Sequence, residues 1–275
     1  MKRGGLFLLC IALMVCGLFL GLALGGIPAC GEQDEMYQVS TINALLQGDY
    51  DGVMPFSEVE KHGDFGIATF DGLDGEMVAL DGQYYQVKAD GKVHPVTGDM
   101  TTPFATVTWF SPDFTIVIPA AGNFTMFGAA ATRQLPSENL FYAVKIQGEF
   151  PYVRTRSIPK QEKPYPRLVD ASANQSVFEF RNTTGTVVGF WTPSLAQGLN
   201  VPGFHLHYLT ADRTAGGHIL DFALENATVL LDETPRFTMV LPTTGSFVST
   251  NLTGDLSGEL AAVEQGGSPN NSSRQ

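Results

Sequence analysis

The sequence predicts an α/β protein of α+β-like character: two strand-rich subdomains with mixed or antiparallel sheets and a few short helices. Three observations lead there. Asp-Gly pairs recur at 71–72, 74–75, 81–82 and 90–91, between stretches that alternate apolar and polar residues, the pattern of β-hairpins. Strand-like segments continue on both sides of Pro159–Pro166, where three prolines in eight residues cannot form a central strand. The frequency of Gly, Pro and Asp-Gly argues against a doubly wound parallel sheet, which needs long helices between its strands.

The elements follow in order. Ser40-Thr41 caps an apolar-periodic stretch, Ile42 to Gln47, stopped by Gly48, which reads as a short helix. Ser57 and Glu60 have capping-box spacing, and Gly63 ends that second helix. Period-two patterning then gives strands at Glu76–Leu80 and Gln83–Lys88, joined by Asp81-Gly82, and at Val107–Phe110 and Phe114–Ile118. Asn123 to Arg133 reads as a helix. Phe141–Ile146, Tyr152–Ile158, Ser176–Phe180, Gly185–Trp191, Ala227–Leu231 and Phe237–Leu241 read as strands, with a helical turn near Ser194–Gln197. The division is an N-terminal subdomain over 38–163 and a C-terminal one over 164–265, behind a leader (1–30) and linker (31–37). A Gly/Ser/Asn-rich tail over 266–275 is expected to be disordered.

The leader has Lys2 and Arg3 ahead of an uncharged apolar run from Leu6 to Gly26. This is the n-region and h-region of an export signal, although twenty apolar residues also suffice for a membrane anchor. Ile27-Pro28-Ala29-Cys30 loosely matches a lipoprotein cleavage box. The expected location is therefore outside the cytoplasmic membrane, secreted or tethered through the leader or Cys30. Cys10, Cys16 and Cys30 are the only cysteines, so the body has no disulfide and no thiolate ligand. Without Lys2 and Arg3 the chain carries 28 acidic residues against 14 basic ones. No basic stripe or arginine-rich arm marks a nucleic-acid partner. Seven Asn-x-Ser/Thr triplets, at Asn123, Asn174, Asn182, Asn226, Asn251, Asn270 and Asn271, are glycosylation acceptors only in a host with that machinery.

The residues most suggestive of chemistry are histidines. Three of the five lie within fourteen positions: His205 and His207 in Phe204-His205-Leu206-His207-Tyr208, and His218 after Gly216-Gly217. Residues i and i+2 of a strand share a face. The polar, Gly-rich stretch from Thr210 to Gly217 reads as the turn of a hairpin that brings His218 beside the pair. Three imidazoles leave a tetrahedral zinc with one open position, the catalytic arrangement. The alternative is three hydrogen-bonded histidines on a half-exposed sheet. Glu76 shares a strand face with Val78 and Leu80, either at a sheet edge or pointing into a site. Arg154 and Arg156 alternate on one strand face, able to clamp a carboxylate or simply to carry surface charge. Glu264, by itself, reads as the solvated end of a short terminal helix. His62 and His94 sit in loop contexts and read as surface residues.

From Gln38 to Glu264 the chain resembles the α-acetolactate decarboxylase family. The matching stretches are Tyr37-Gln38-Val39-Ser40-Thr41-Ile42-Asn43-Ala44-Leu45, Leu73-Asp74-Gly75-Glu76-Met77, Thr102-Pro103-Phe104-Ala105 and Phe141-Tyr142-Ala143-Val144-Lys145. Pro159-Lys160-Gln161 with Pro164-Tyr165-Pro166, Asn200-Val201-Pro202-Gly203-Phe204-His205-Leu206-His207, and Gly216-Gly217-His218 complete the set. The resemblance implies decarboxylation of (S)-2-acetolactate to (R)-acetoin with a zinc ion in a cleft between the halves, and a homodimer. It implies His205, His207 and His218 as zinc ligands and Glu76 at the metal site. Arg156, Glu264 and Thr69 are implied as further site residues. Loss of CO₂ leaves an electron pair that must enter the ketone as an enediolate; a divalent metal stabilises that charge, and a carboxylic acid returns a proton to one face. No organic cofactor is required. Two other classes remain as readings. A cupin-like metal protein also uses His-x-His and a later histidine, but wants a glutamate shortly after the pair, where this chain has Tyr208-Leu209-Thr210-Ala211-Asp212. A non-catalytic surface module with structural zinc would ordinarily use cysteine.

Overall fold

The structure is a computed structural model in which residues 34–264 are described; the leader and the tail beyond 264 lie outside them. In chain order the elements are β1 (Glu35–Val39), α1 (Ile42–Leu46), β2 (Met54–Pro55), α2 (Phe56–Val59), β3 (Phe65–Thr69), β4 (Glu76–Leu80), β5 (Gln83–Val87), β6 (Val93–Pro95), β7 (Thr101–Thr102) and β8 (Ala105–Thr108). There follow β9 (Phe114–Ala121), α3 (Phe124–Thr132), β10 (Tyr142–Ser157), α4 (Leu168–Ala171), β11 (Ser176–Thr192), β12 (Gly203–Thr210), β13 (Gly216–Glu233), β14 (Arg236–Val240) and α5 (Ser257–Glu264).

Local chemistry explains several boundaries. The Thr41 side chain accepts the Ala44 N–H and caps α1, and Gly48 follows at φ +88. Asn123 caps α3 in the same way, through Met126 N. Asp81 and Gly82, at φ 53 and 75, form the tight turn between β4 and β5, as Asp-Gly predicts. The capping box expected at Ser57 is absent. Ser57 lies inside α2, and its N–H donates to Gly98 O at 3.0 Å, next to Phe56 N on Met100 O at 2.9 Å. A tertiary partner satisfies the donors that a cap would have satisfied.

Two sheets carry the fold. The first has seven strands in the order β14-β1-β8-β3-β4-β5-β6, with only the β1–β14 pair parallel among those described. The second is antiparallel, in the order β10-β11-β12-β13-β9, and the β10–β13 pairing closes four of its strands into a ring. The expected pairs Phe141–Ile146 with Tyr152–Ile158, and Ser176–Phe180 with Gly185–Trp191, are each one long strand. The β10–β11 ladder runs through Gly148 and skips only Pro151, which has no N–H to give. The sheets also divide the chain elsewhere than at residues 163–164: β9 and β10, which precede the proline-rich segment, pair with strands that follow it, and β14 returns to the first sheet. The prolines end a strand, but long-range packing assigns it to a sheet.

Strand alternation then fixes which side chains meet. Met77 and Ala79 pack on one face of the first sheet with Phe56 and Val59. Val78 and Leu80 pack on the other, with Ile67 and Phe65, against Ala143, Val188, Phe190 and Leu209 of the ring. The ring interior holds Leu206, Tyr208, Ile219 and Phe222. By the same alternation Thr69 and Glu76 face the ring, while His205, His207 and His218 face outward from it toward the first sheet. Truncating a core ring such as Phe222, fully buried here, costs about 3–5 kcal/mol. The site therefore sits on strands locked by their far faces.

One buried acid bears on pH. Asp232 is inaccessible and accepts the Ser111 N–H at 2.9 Å through Oδ2, while Oδ1 has no partner. Burial, with Asp113, Asp34 and Asp64 adding repulsion, raises its pKa to about 7. A folded-state value above the unfolded one means that the folded protein holds the proton more tightly. Its contribution is therefore full below about pH 4 and is lost as pH rises through 7. Asp232→Asn should melt above the native protein at pH 8, by roughly 1–2 kcal/mol, with the gap closing toward pH 4. Calorimetric melting across that range checks this, and equal melting at pH 8 would contradict it.

Candidate active site

The β12–β13 hairpin places the histidines. His207 and His218 are direct cross-strand partners, and His205 lies two residues along on the same face. The turn is held by Thr210 N on Ala215 O at 2.9 Å and by Asp212 Oδ1, which accepts from Thr210 Oγ1, Thr214 N and Thr214 Oγ1. Gly217, at φ +127, admits no side chain: a Cβ there would lie 2.4 Å from Arg156 O. That glycine lets β10 approach closely and sets Arg156 opposite His218.

Seven of the residues singled out from the sequence line one small cavity of about 40 Å³: Thr69, Glu76, Arg156, His205, His207, His218 and Glu264. The histidine nitrogens lie within 4.8 Å of one another, and the ring centroids are 5.1–5.4 Å apart. Glu76 Oε2 is 3.7 Å from His207 Nε2. Glu264 Oε2 is 3.5 Å from His218 Nε2 and 3.9 Å from His205 Nε2. Thr69 Oγ1 donates to Gly75 O at 2.8 Å. It lies across from Glu76 in the β3–β4 register. Arg156 is 4% exposed, with Nε and Nη1 unpartnered. Glu264 sits on α5, whose Leu260 and Val263 pack against Ile42, Leu45, Leu168 and Val201. Arg167 Nη2 reaches Glu259 on the same helix at 2.7 Å.

Burial sets the charge states. It lowers His205 to about 3, with the Arg156 charge adding to the effect. His207 and His218 are likewise driven well below the usual range by desolvation. The imidazoles are therefore neutral near pH 7, the form with a free lone pair. Glu76 and Glu264 are both raised to about 7 by burial, against the opposing pull of Arg156.

The donor set fits a divalent metal ion. His207 Nδ1 is 2.9 Å from Met77 O. A carbonyl only accepts, so Nδ1 carries the proton and Nε2 presents its lone pair to the cavity. That Nε2 and both ring nitrogens of His218 are buried without a hydrogen-bond partner. Orphaned nitrogens cost about 1–3 kcal/mol each, and two desolvated carboxyls add more. A cation at their convergence offsets both costs.

Three features differ from the sequence reading. Arg154 and Arg156 do not share a cavity: Arg154 lines a larger one, so they do not clamp one carboxylate together. The apolar walls, Ile42, Leu45, Leu73, Phe104, Ile158 and Leu168, were missed, although Leu73 and Phe104 lie in motifs that carry the resemblance and Ile42 and Leu45 have the i, i+3 spacing of one helix face. His62 is not a free surface residue. It stacks on Tyr37 with ring centroids 3.7 Å apart, and His94 is half-buried.

Comparison with known proteins agrees with this geometry. The family profile for alpha-acetolactate decarboxylase matches residues 36–254. The chain belongs to the alpha-acetolactate decarboxylase family. Members of this family are carboxy-lyases. The chain is 55% identical over 232 residues to alpha-acetolactate decarboxylase of Methanosarcina mazei, covering 84% of this chain and 81% of that one. With the Bacillus subtilis strain 168 protein of the same name the identity is 43%, over 81% and 89% of the two chains. The crystal structure of alpha-acetolactate decarboxylase from that strain superposes with a TM-score of 0.80 at 42% identity, covering 84% of this chain and 99% of that one. A Staphylococcus aureus protein, described as of unknown function and similar to alpha-acetolactate decarboxylase, gives 0.76 at 32% identity, over 84% and 97%.

A metal ion held by these histidines should be lost when one of them is removed. Two imidazoles hold a catalytic ion poorly, so purified His207→Ala should carry less than about a tenth of the native metal by mass-spectrometric elemental analysis while keeping its far-ultraviolet circular dichroism. Full metal content in that variant would disprove the assignment.

Proposed function

We propose that the protein decarboxylates (S)-2-acetolactate to (R)-acetoin and CO₂ with zinc held by His205, His207 and His218. The observation that carries this reading is the convergence of three neutral imidazoles, two carboxyls and a guanidinium on one small cavity. Zinc is favoured by three nitrogen donors with no thiolate, the donor set of catalytic rather than structural sites. When bound, the metal ion supplies fixed positive charge that stabilises the enediolate left by CO₂ loss.

The side chains perform the rest. Arg156 presents unpartnered N–H groups and orients the substrate carboxylate so that its C–C bond can break into the adjacent ketone. The apolar walls exclude water, so the carbanionic carbon is not protonated at random. Glu76 from β4 and Glu264 from α5 reach the cavity from separate elements. With both carboxyls near 7, one can hold a proton while the other does not. One takes or orients the substrate hydroxyl proton; the other returns a proton to carbon from a fixed side, which sets the product's configuration. Thr69, beside Glu76, keeps hydroxyl lone pairs available after donating to Gly75 O.

The test is acetoin formation from racemic acetolactate with chiral analysis of the product. Native enzyme should yield (R)-acetoin and lose activity on chelation. Glu76→Gln should retain its fold and lose turnover by ~100-fold or more. Full activity after complete metal removal would refute the mechanism.

We further propose that the leader directs export, with the mature chain a homodimer outside the cytoplasmic membrane. Lys2-Arg3 and the apolar run to Gly26 support export. Intact mass and native mass of protein from its source should show a processed or lipidated N-terminus and a two-chain species. An intact Met1 in a cytosolic fraction, or a monomer at micromolar concentration, would refute the respective part.

A further inference from the structure

The strand carrying Arg156 also carries Arg154, which the mechanism above does not use. A β-bulge separates their surroundings. Arg154 is opposite Asp221 and Thr155 is opposite Ile219, so Leu220 is the extra residue on β13. Arg156 opens into the small cavity. Arg154 and Leu220 instead line a second one of about 800 Å³, with Phe204, Trp191 and Asp221. The two cavities have one lining residue in common, Glu264. Glu264 thus lines both spaces.

Two donors in the larger cavity lack an internal partner. Arg154 is half-buried, and its side chain makes no ion pair or hydrogen bond among the described residues. Its cross-strand neighbours are both acidic: Asp221 Oδ1 accepts the N–H groups of Phe124 and Phe222, and Glu179 is engaged by Tyr152 Oη and Arg181. Trp191 is 9% exposed, and its Nε1–H is buried without a partner. Buried indole N–H groups ordinarily find an acceptor. A guanidinium and an unsatisfied N–H lining one cavity with apolar side chains match a small carboxylate bearing a hydroxyl or keto oxygen.

We propose that this cavity is a vestibule in which Arg154 first receives the carboxylate of a small 2-hydroxy-3-keto acid, before the anion passes Glu264 to the inner cavity. The proposal rests on the decarboxylase reading for its ligand class. Arg154 is a docking residue and takes no part in bond breaking. The body carries excess negative charge, which repels an anionic substrate. A lone positive group in the access path gives the anion a local minimum and a salt-sensitive rate of capture.

The experiment compares native holoenzyme with Arg154→Ala, Arg154→Lys and Trp191→Phe, each first checked by thermal melting. Two readouts are taken: kcat and KM for acetolactate across ionic strength, and tryptophan fluorescence on titration with 2-hydroxy-2-methylpropanoate, which lacks the keto group and does not decarboxylate. In Arg154→Ala, KM should rise roughly tenfold, the worth of one charge-assisted hydrogen bond. Its kcat should stay within twofold, and the salt dependence of kcat/KM should flatten. Arg154→Lys should recover most of the salt dependence. The fluorescence change should vanish in Trp191→Phe, which leaves only Trp109, and weaken in Arg154→Ala. An unchanged KM and salt dependence in a folded Arg154→Ala variant would overturn the proposal, as would a fall in kcat at constant KM. If native enzyme forms no acetoin, the decarboxylase reading fails, and the titration still decides whether Arg154 binds a hydroxy acid.

Discussion

The constraint on which the structure turns is the burial of six ionisable side chains in one place. Glu76, Arg156, His205, His207 and His218 are each less than a tenth exposed, and Glu264 is little more. Desolvating a single carboxylate costs several kcal/mol, comparable with the net stability of a domain. A fold tolerates this only where packing elsewhere holds the groups together and a ligand or function requires them. The contact between Val78, Leu80, Ile67 and Phe65 of the first sheet and Val188, Phe190 and Leu209 of the ring supplies that packing. Because the pleat alternates, the same strands that bury these apolar residues present Thr69, Glu76, His205 and His207 across the same gap.

Preorganisation follows from the register. His207 and His218 are fixed by direct cross-strand pairing, Arg156 by its pairing with His218, and Glu76 by pairing with Thr69 on one side and Val87 on the other. The His207–Met77 hydrogen bond ties the hairpin to β4 and fixes a tautomer. Moving any of these groups requires slipping a ladder by two residues, since a one-residue slip exchanges its buried and exposed faces. Glycine has a specific place in this scheme: at Gly217 a methyl group would collide with the β10 backbone.

Much of this was legible in the sequence because it depends on short-range pattern. Asp81-Gly82 announced its hairpin, Thr41 and Asn123 their helices, and His-x-His with Gly-Gly-His a convergent face. What stayed hidden depends on tertiary partners. Ser57 looks like a cap, but Gly98 O and Met100 O, just before β7, supply the acceptors. Gly148 and Pro151 look like breaks, yet one long strand runs through them, since a single missing N–H costs little in an extensive ladder. The difference between Arg154 and Arg156 was invisible because it arises from a bulge in pairing with β13, sixty-odd residues away. Glu264 drew no local signal: it ends a short helix and reads as solvated, and only the packing of Leu260 and Val263 near Leu168 and Val201 turns it toward the histidines.

Glu264 is also held differently from the other site residues. The rest stand on strands with neighbours on both sides. Glu264 depends on an eight-residue helix, two buried apolar side chains and the partly exposed Arg167–Glu259 pair, an interaction whose worth at a surface is about 0–1 kcal/mol. Segments attached by so little buried area open at lower free energy than the sheets they rest on. The inner cavity is small, about 40 Å³. Among the ionisable groups lining it, Glu264 alone stands on a helix, whereas the three imidazoles, Glu76 and Arg156 stand on paired strands. The fold thus places the histidines, Glu76 and Arg156 by strand pairing and brings the second carboxyl in on a short helix held by two buried side chains.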